Sequence, residues 1–350
     1  MTADTVLRDG LRRRLTSTAV PDDRALAHEA VLDDLGLVGL LVDARLGGGG
    51  GSLTDAVTVQ EELGRGHAAT SFLPNSMMAV TAATSAGSES GDEVAAAIAA
   101  GDTVGVVLPF WGRASAGARA GDMPSPNSVT GALLHDCRRS QKPVWLLRAA
   151  RSAADLVLEG RLLTPQPEGE SGNLHAAPTE VREIARGERA ERAIARSLSV
   201  GRIGLAADLN GSKARALEIT VEYGANRRAF GRHIGSYQAF RHSCAESWMR
   251  IQLDRALLRA AMTAWEDETA DADALATAAA ISSTESARAI GESAILLHGG
   301  IGFTWEHEVH WHLKRANEAI GYLNGAAQQW EALYTMINPT RDQPGAYADA

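Results

Sequence analysis

The sequence predicts a mainly α-helical protein that contains one small β domain. Three observations support this prediction. Apolar residues recur at helical spacing before residue 102, a middle stretch is rich in β-prone residues, glycine and proline, and stronger helical periodicity returns from residue 180. The predicted units are an N-terminal helical domain at 1–101, a reduced middle β domain at 102–179, a C-terminal four-helix bundle at 180–338, and a tail at 339–350.

Composition excludes several classes of protein. The 350 residues carry a net charge of -9 without a long basic run, which argues against a nucleic-acid-binding protein. No stretch of about 18 apolar residues is present, so we expect no membrane span. The two cysteines, Cys137 and Cys244, are too few for a disulfide framework, and no apolar export segment follows Arg14. We therefore expect a cytoplasmic protein.

The N-terminal domain is predicted from short amphipathic segments. Apolar residues between 25 and 40 fit one or two helices, and the glycines at 47–51 mark a break. Ser52 is a candidate N-cap for a helix at 56–64, and a further helix at 93–100 is closed by Gly101.

The middle domain and the bundle differ in periodicity. The middle domain offers short strand candidates at 103–108, 144–147, 156–158 and 162–163. The bundle has four long helical segments joined by short connections, which favours antiparallel packing; these segments are 185–225, 238–267, 272–297 and 305–336.

The connection at 226–238 holds the densest group of chemically assignable residues. The arginines Arg227 and Arg228 offer guanidinium groups for phosphate, Phe230 offers a flat face for a base, and Gln238 offers an amide. These residue types predict a site for an anionic, aromatic ligand. The alternative interpretation is a solvated helix end with surface arginines.

Two motifs resemble the acyl-CoA dehydrogenase family of flavoproteins. The first is Arg227-x-Ala229-Phe230-Gly231-x-x-Ile234-Gly235-x-x-Gln238, between the first two bundle helices. The second is His298-Gly299-Gly300-Ile301-Gly302-Phe303-Thr304-Trp305, between the last two. The segments 35–42, 46–48 and 61–65 are also similar to the opening of that family. The resemblance implies an acyl-CoA dehydrogenase-like fold.

In this family, part of FAD lies at a subunit interface and is held by the neighbouring subunit. The resemblance therefore implies that Arg227 meets the pyrophosphate, Phe230 and Ile234 line the adenosine, and Gln238 hydrogen-bonds nearby. Gly299 and Gly300 would allow close backbone approach. One departure is Leu296, which stands where a glutamine is common.

The catalytic base that the family requires is absent from both of its usual positions. The family removes the α-proton of the thioester with a glutamate. By resemblance its two positions correspond to Asn324 and Gly201, and neither side chain can act as that base. We therefore assign no catalytic residue. If the chain has activity of its own, Glu318 and Asp208 are the acids to replace first.

The middle domain also lacks the family's flavin-ring segments. The corresponding stretch, 108–113, contains neither an acid nor a Gly-Ser-Asp sequence. Trp111 and Trp145 are candidates to stack on a flavin ring, although we favour a structural role for both.

The run 305–312 is the one segment that resembles a metal site. Glu306, His307 and His310 would share a face if this run were helical. The order is not His-Glu-x-x-His, so we favour packing and interface hydrogen bonds and predict no metal.

The leading hypothesis is that this chain is similar to the non-catalytic, β-type subunit of heteromeric α2β2 acyl-CoA dehydrogenases. The resemblance implies FAD shared at the interface, a catalytic partner subunit, an acyl-CoA substrate in lipid metabolism with steroid degradation as the candidate pathway, and an electron-transferring flavoprotein as acceptor. Two alternatives stay open: a self-sufficient flavoenzyme with an unconventional base, and a flavin-free scaffold that has kept only the fold.

Overall fold

A computed structural model describes residues 3–17, 24–68, 70–108, 143–152, 155–163, 179–322 and 326–338. The N-terminal part is helical throughout. Its helices are α1 (Ala3–Ser17), α2 (Arg24–Asp34), α3 (Leu53–Arg65), a π-helix (Leu73–Ala79) that continues as α4 (Val80–Ser85), and α5 (Glu89–Ala99). Ser52 caps α3 as the sequence predicts, because its hydroxyl accepts from the Asp55 amide while the Asp55 carboxylate accepts from the Ser52 amide.

One four-stranded sheet follows in the order β1-β2-β3-β4. The strands are β1 (Val104–Leu108), β2 (Val144–Ser152), β3 (Asp155–Leu163) and β4 (Glu180–Arg186). β1 pairs with β2 in parallel and the other two pairs are antiparallel. Trp145 and Leu147 of β2 are buried together with Leu158 and Ile184, so one face of the sheet joins the main core.

The bundle consists of α6 (Glu188–Asn226), α7 (Gln238–Glu266), α8 (Ala272–His298), α9 (Val309–Tyr322) and α10 (Ala326–Ile337). A two-stranded hairpin, β5 (Arg228–Ala229) and β6 (Arg232–His233), joins α6 to α7. A 3-10 turn (Gly299–Phe303) joins α8 to α9. The prediction of a mainly helical protein with a small sheet is confirmed. The domain boundaries stay predictions.

The structure corrects several predicted elements. The predicted helix at 185–225 begins at Glu188, because Arg186 still pairs with Val157 in the sheet. The last predicted helix, at 305–336, is two helices that begin at Val309 and at Ala326. The two short strand candidates at 156–158 and 162–163 are one strand, β3.

Helix α1 was absent from the sequence prediction, which considered this polar stretch only as a possible export segment. Leu7, Leu11 and Leu15 recur every four residues and face the core, which was the available signal. Two of its basic residues form ion pairs with glutamates of α3. Arg8 contacts Glu61 at 2.8 Å, and Arg12 contacts Glu62 at 2.6 Å.

Helices α3 and α6 cross in near backbone contact. A Cβ atom built on Gly64 would lie 1.9 Å from the carbonyl oxygen of Asp208, and one on Gly211 would lie 1.8 Å from that of Glu61. No side chain fits at either point, so the crossing requires glycine on both helices. It joins the N-terminal helices to the longest helix of the bundle.

We predict that Gly64→Ala lowers the free energy of unfolding by about 3 kcal/mol, because the added methyl group must push two helix backbones apart. Chemical denaturation of purified protein measures this change. Gly10→Ala in α1 is the matched control, since a Cβ there meets nothing within 4 Å. It should be neutral or slightly stabilising. Equal stability of Gly64→Ala and the unmodified protein would contradict the proposed crossing.

Candidate functional site

The hairpin after α6 is fixed at its base. The Ile234 amide donates to the Arg227 carbonyl at 2.9 Å. The Tyr237 hydroxyl donates to the Ala229 carbonyl at 3.3 Å, and the Arg232 guanidinium lies 3.8 Å from the centre of the Tyr237 ring. A Cβ on Gly235 would lie 2.8 Å from the carbonyl oxygen of Gly224 in α6. The hairpin is thus held against the helix end.

The tip of this hairpin is Phe230-Gly231, and both residues have positive φ, 52° and 81°. Two such residues form the tight turn that suits a two-residue hairpin. Glycine adopts this conformation freely, but for phenylalanine it is uncommon and costs about 1–2 kcal/mol. The ring gains no burial within this chain, since Phe230 is 96% exposed. A strained residue whose side chain is fully presented to the outside indicates a contact surface.

The remaining predicted residues of this segment also face outward. Arg227 and Gln238 are exposed, and Ile234 is half-buried. Arg227 is the C-cap of α6, and its extended backbone directs the chain away from the helix. The structure therefore brings Arg227, Phe230, Ile234 and Gln238 together in one short segment.

The glycine-rich loop begins where α8 ends. Gly299 has φ 65° and ψ -143°, a backbone conformation that essentially requires glycine. A Cβ atom on Gly299 or Gly300 would meet no atom of this chain within 4 Å. The space in front of both residues is therefore open for a ligand to approach the backbone.

A stack of aromatic rings links the glycine loop to the helix that carries the hairpin. His298 is buried, and its ring stacks on Tyr223 of α6 with 4.5 Å between centroids. The His307 ring centre lies 4.5 Å from that of His298 and 6.4 Å from that of Tyr223, so the three rings form one cluster. Burial lowers the pKa of His298, which opposes the upward effect of its hydrogen bond to the Ala294 carbonyl. Sequence reasoning did not identify Tyr223, because a lone tyrosine near a helix end carries no motif.

Apolar side chains surround the loop on the outside. We call Leu296, Ile301, Phe303 and Trp305 the loop surface; three of them are more than 70% exposed, at 74% for Leu296, 72% for Phe303 and 71% for Trp305. Lys314 lies 3.9 Å from the centre of the Trp305 ring. Several large apolar residues exposed within one loop are typical of an interaction site.

The predicted base position at Gly201 lies in a packed interior. A Cβ on Gly201 would stand 2.8 Å from the Met78 sulfur, and one on Gly204 would stand 2.3 Å from Leu73 Cδ1. Met77 and Met78 are both buried. The face of α6 between residues 201 and 204 therefore rests directly on the π-helix. Asn324, the second base position, and Trp111 lie outside the described residues.

Asp208 is engaged in a structural network. Its carboxylate accepts two hydrogen bonds of 2.6 Å from Arg315 and one of 2.8 Å from Gln60. These three bonds hold the Asp208 carboxylate between α3 and α9, which indicates a structural role. Glu318 is exposed on α9. Trp145 is buried in the core, with the Arg182 guanidinium 5.5 Å from its ring centre.

The run 305–312 is not one helix. Because α9 begins at Val309, Glu306 and His307 precede it, and the prediction that they share a helical face with His310 is wrong. His310 Nδ1 hydrogen-bonds the His307 carbonyl at 2.7 Å. Within the described ranges, no three His, Cys, Asp or Glu residues converge as metal ligands.

Comparison with known proteins identifies the family. The profile of the acyl-CoA dehydrogenase C-terminal domain matches residues 191–321, and that of the N-terminal domain matches residues 5–101, so the two together cover more than half of the chain. The chain belongs to the acyl-CoA dehydrogenase family. The resemblance seen in the two motifs is thereby confirmed.

Individual acyl-CoA dehydrogenases extend this result. The acyl-CoA dehydrogenase IpdE2 of Mycobacterium tuberculosis is 29% identical over 305 residues, which are 87% of this chain and 84% of that protein. The acyl-CoA dehydrogenase FadE34 of the same organism is 31% identical over 324 residues, 88% of this chain. That match spans only 41% of FadE34.

Solved structures share the acyl-CoA dehydrogenase fold. A variant of the Tcur3481-Tcur3483 steroid ACAD aligns with a TM-score of 0.75 and 23% identity, covering 96% of this chain and 98% of that one. The ChsE4-ChsE5 complex from Mycobacterium tuberculosis gives 0.73 and 20%, with coverages of 97% and 98%. Within the residues described here, no helix is both long and apolar enough to cross a membrane.

A second buried histidine gives a pH prediction. His312 of α9 is buried beside Ser212, and burial together with Arg315 lowers its pKa from 6.5 to about 3. Between these two pKa values, His312 is protonated in the unfolded chain and neutral in the folded protein. The contribution of His312 to the free energy of unfolding is therefore fully present above about pH 6.5. Below that pH it falls by at most about 1.4 kcal/mol per pH unit.

Chemical denaturation at a series of pH values between 7.5 and 4.5, roughly the range over which this linkage develops, measures that slope. His312→Gln should remove up to about 1.4 kcal/mol per pH unit from this slope, which corresponds to one proton fewer taken up on unfolding. His242→Gln is the matched control, because His242 is exposed on α7. A slope that His312→Gln leaves unchanged would contradict the assignment.

Proposed function

We propose that this chain is a subunit of a heteromeric, FAD-dependent acyl-CoA dehydrogenase that presents its hairpin and glycine loop to FAD bound mainly by a different subunit. The observation that carries the proposal is the outward presentation of Phe230 on a strained, firmly anchored turn. A residue that served a flavin held by its own chain would face inward. Here the ring extends away from all described parts of the chain.

The dinucleotide half of FAD fits the chemistry of these residues. Arg227 offers a charged fork for the pyrophosphate, and Phe230 and Ile234 offer apolar surface for the adenosine. Gly299 and Gly300 leave their backbone accessible, because a side chain there would occupy the open space. Gln238 supplies an amide at the start of α7. The chemistry that FAD supplies when bound is acceptance of the hydride from the thioester's β-carbon.

The interior of the chain supports the assignment of catalysis to the partner. The position where one family base would stand, Gly201, packs against Met78, and the neighbouring Gly204 packs against Leu73 and Met77. A glutamate at position 201 would have to displace a buried methionine. The acid nearest in sequence, Asp208, is held by Arg315 and Gln60. We therefore assign the proton-abstracting base and the flavin-ring site to the partner subunit.

The relatives suggest the class of substrate. One matching structure is named a steroid ACAD, and its name joins two different chains, as does that of the ChsE4-ChsE5 complex. We infer an α2β2 assembly that dehydrogenates an acyl-CoA thioester, with a steroid side chain as the favoured acyl group. The assembled enzyme would pass its electrons to an electron-transferring flavoprotein, and a structure so named shares this fold with a TM-score of 0.68.

We predict that Arg227→Ala weakens FAD retention in the assembled enzyme by about 2–5 kcal/mol, because a buried phosphate would lose its charged partner. The flavin-to-protein ratio after gel filtration, together with the FAD dissociation constant, measures this loss. Arg192→Ala, near the opposite end of α6, is the matched control and should retain FAD. Full flavin occupancy of the Arg227→Ala enzyme would remove this residue from the site.

We predict that this chain contributes no catalytic carboxylate. Glu318→Gln should leave the turnover of the assembled enzyme unchanged, because Glu318 is an exposed residue of α9. Replacement of the partner's base glutamate by glutamine should abolish turnover while FAD stays bound. Steady-state assays with an acyl-CoA substrate and an artificial acceptor distinguish the two. Loss of turnover in Glu318→Gln, with FAD retained, would instead support a self-sufficient flavoenzyme.

A further inference from the structure

A cleft of ≈ 670 Å³ lies between the N-terminal helices and the beginning of α6, far from the hairpin. We call it the arginine cleft, because Arg189, Arg192 and Arg196 line one wall; Thr81 and Ser85 of the α4 region lie on the other side, and Trp265 lies at the end of α7. Nothing in the proposed function uses these residues.

The three arginines share one face of α6. Their spacing of three and four residues places them one above the other along the helix. Arg189 and Arg192 are exposed, and within the described part of the chain neither forms an ion pair. Two adjacent guanidinium groups that point into a concave space repel each other unless an anion lies between them. Their arrangement therefore favours a ligand with at least two negative charges.

Arg196 is held in place at the cleft. Its guanidinium lies 4.0 Å from the centre of the Trp265 ring, and the Trp265 indole N–H donates to the Arg196 carbonyl at 3.3 Å. Glu268 accepts one hydrogen bond from Arg196 at 2.9 Å. A guanidinium has five N–H donors, so one such bond leaves donors for a ligand. A side chain ordered before binding loses less entropy when the ligand arrives.

The acidic residues around the cleft do not neutralise it. Glu268 is the one carboxylate among its lining residues, against three arginines. On the neighbouring surface, Asp92 lies 3.2 Å from Arg45, and Glu93 pairs with Arg182. Those carboxylates already have cationic partners. Glu188 and Glu191 are also exposed in the first turn of α6, but they are not among the lining residues, which therefore keep an excess of positive charge.

We propose that the arginine cleft binds the phosphoryl groups of a small phosphorylated molecule. Guanidinium groups match phosphate in geometry and charge, and the hydroxyls of Thr81 and Ser85 provide additional polar contacts. This ligand would be a different molecule from the FAD that is proposed to contact the hairpin. Arg196 and Arg227 are separated by 31 residues of one continuous helix, which corresponds to about 46 Å.

Isothermal titration of the full chain with inorganic phosphate, pyrophosphate and ADP tests this proposal. We expect saturable binding of pyrophosphate that weakens at high salt, and at least a tenfold loss in the double variant Arg189→Ala/Arg192→Ala. ADP binding much tighter than pyrophosphate, with the same dependence on both arginines, would identify a nucleotide as the source of the phosphates. Equal affinities would identify the phosphates alone.

Two controls make the result specific. Arg259→Ala removes an exposed arginine of α7 outside the cleft and should leave pyrophosphate affinity unchanged. Arg227→Ala should also leave it unchanged in the chain alone, because the proposed FAD site at Arg227 is completed by the partner subunit; a loss of pyrophosphate affinity in this variant would place the ligand at the hairpin and overturn the cleft proposal. The double variant should retain FAD in the assembled enzyme, so the two proposals can fail separately. The proposal is overturned if pyrophosphate shows no saturable binding, or if Arg259→Ala reduces it as much as the double variant does.

Discussion

The close crossing of α3 over α6 is the constraint on which the other features depend. With glycine at residues 64 and 211, the two backbones approach to a distance that excludes any side chain. The carboxylates beside this crossing are consequently buried and need cationic partners. Burial opposes the charge on Glu61, but Arg255 and Arg8 outweigh it and hold its pKa below the usual value. Arg315 of α9 forms an ion pair with Asp208 at 2.6 Å. One contact thus recruits α1, α7 and α9 around α6.

A rigid α6 then keeps three regions of different character at fixed separations. Its first turns present Arg189, Arg192 and Arg196 to the arginine cleft. Its middle is closed, because Gly201 and Gly204 lie against buried side chains of the π-helix. Its last residues carry the hairpin, and Tyr223 stacks on His298 at the start of the glycine loop. The packed middle and the exposed end are consistent with the proposed role, in which this chain offers contacts to a cofactor and the partner subunit supplies the catalytic base.

The candidate site was predicted from local motifs, and the helices and strands were predicted from periodicity. The Phe230-Gly231 turn and the Gly299-Gly300 pair were recognised by their resemblance to family motifs, and the structure adds that three of these four residues have positive φ. Helix α1 and strand β4 were missed because their identity depends on distant partners: Glu61 and Glu62 for the arginines of α1, and strand β3 for residues 180–186. The exposure of Phe230 and the ion pair between Asp208 and Arg315 are tertiary properties that no local pattern contains.

The flavin content of the purified chain, alone and with a co-expressed catalytic subunit, tests the central claim most directly. In the proposed complex, FAD contacts outward-facing residues of this chain, and its ring lies in a site on another polypeptide. This chain alone should therefore not retain FAD. The account predicts a colourless protein alone, and about one FAD per pair of unlike chains in the complex. One FAD for each copy of this chain purified without a partner would contradict it.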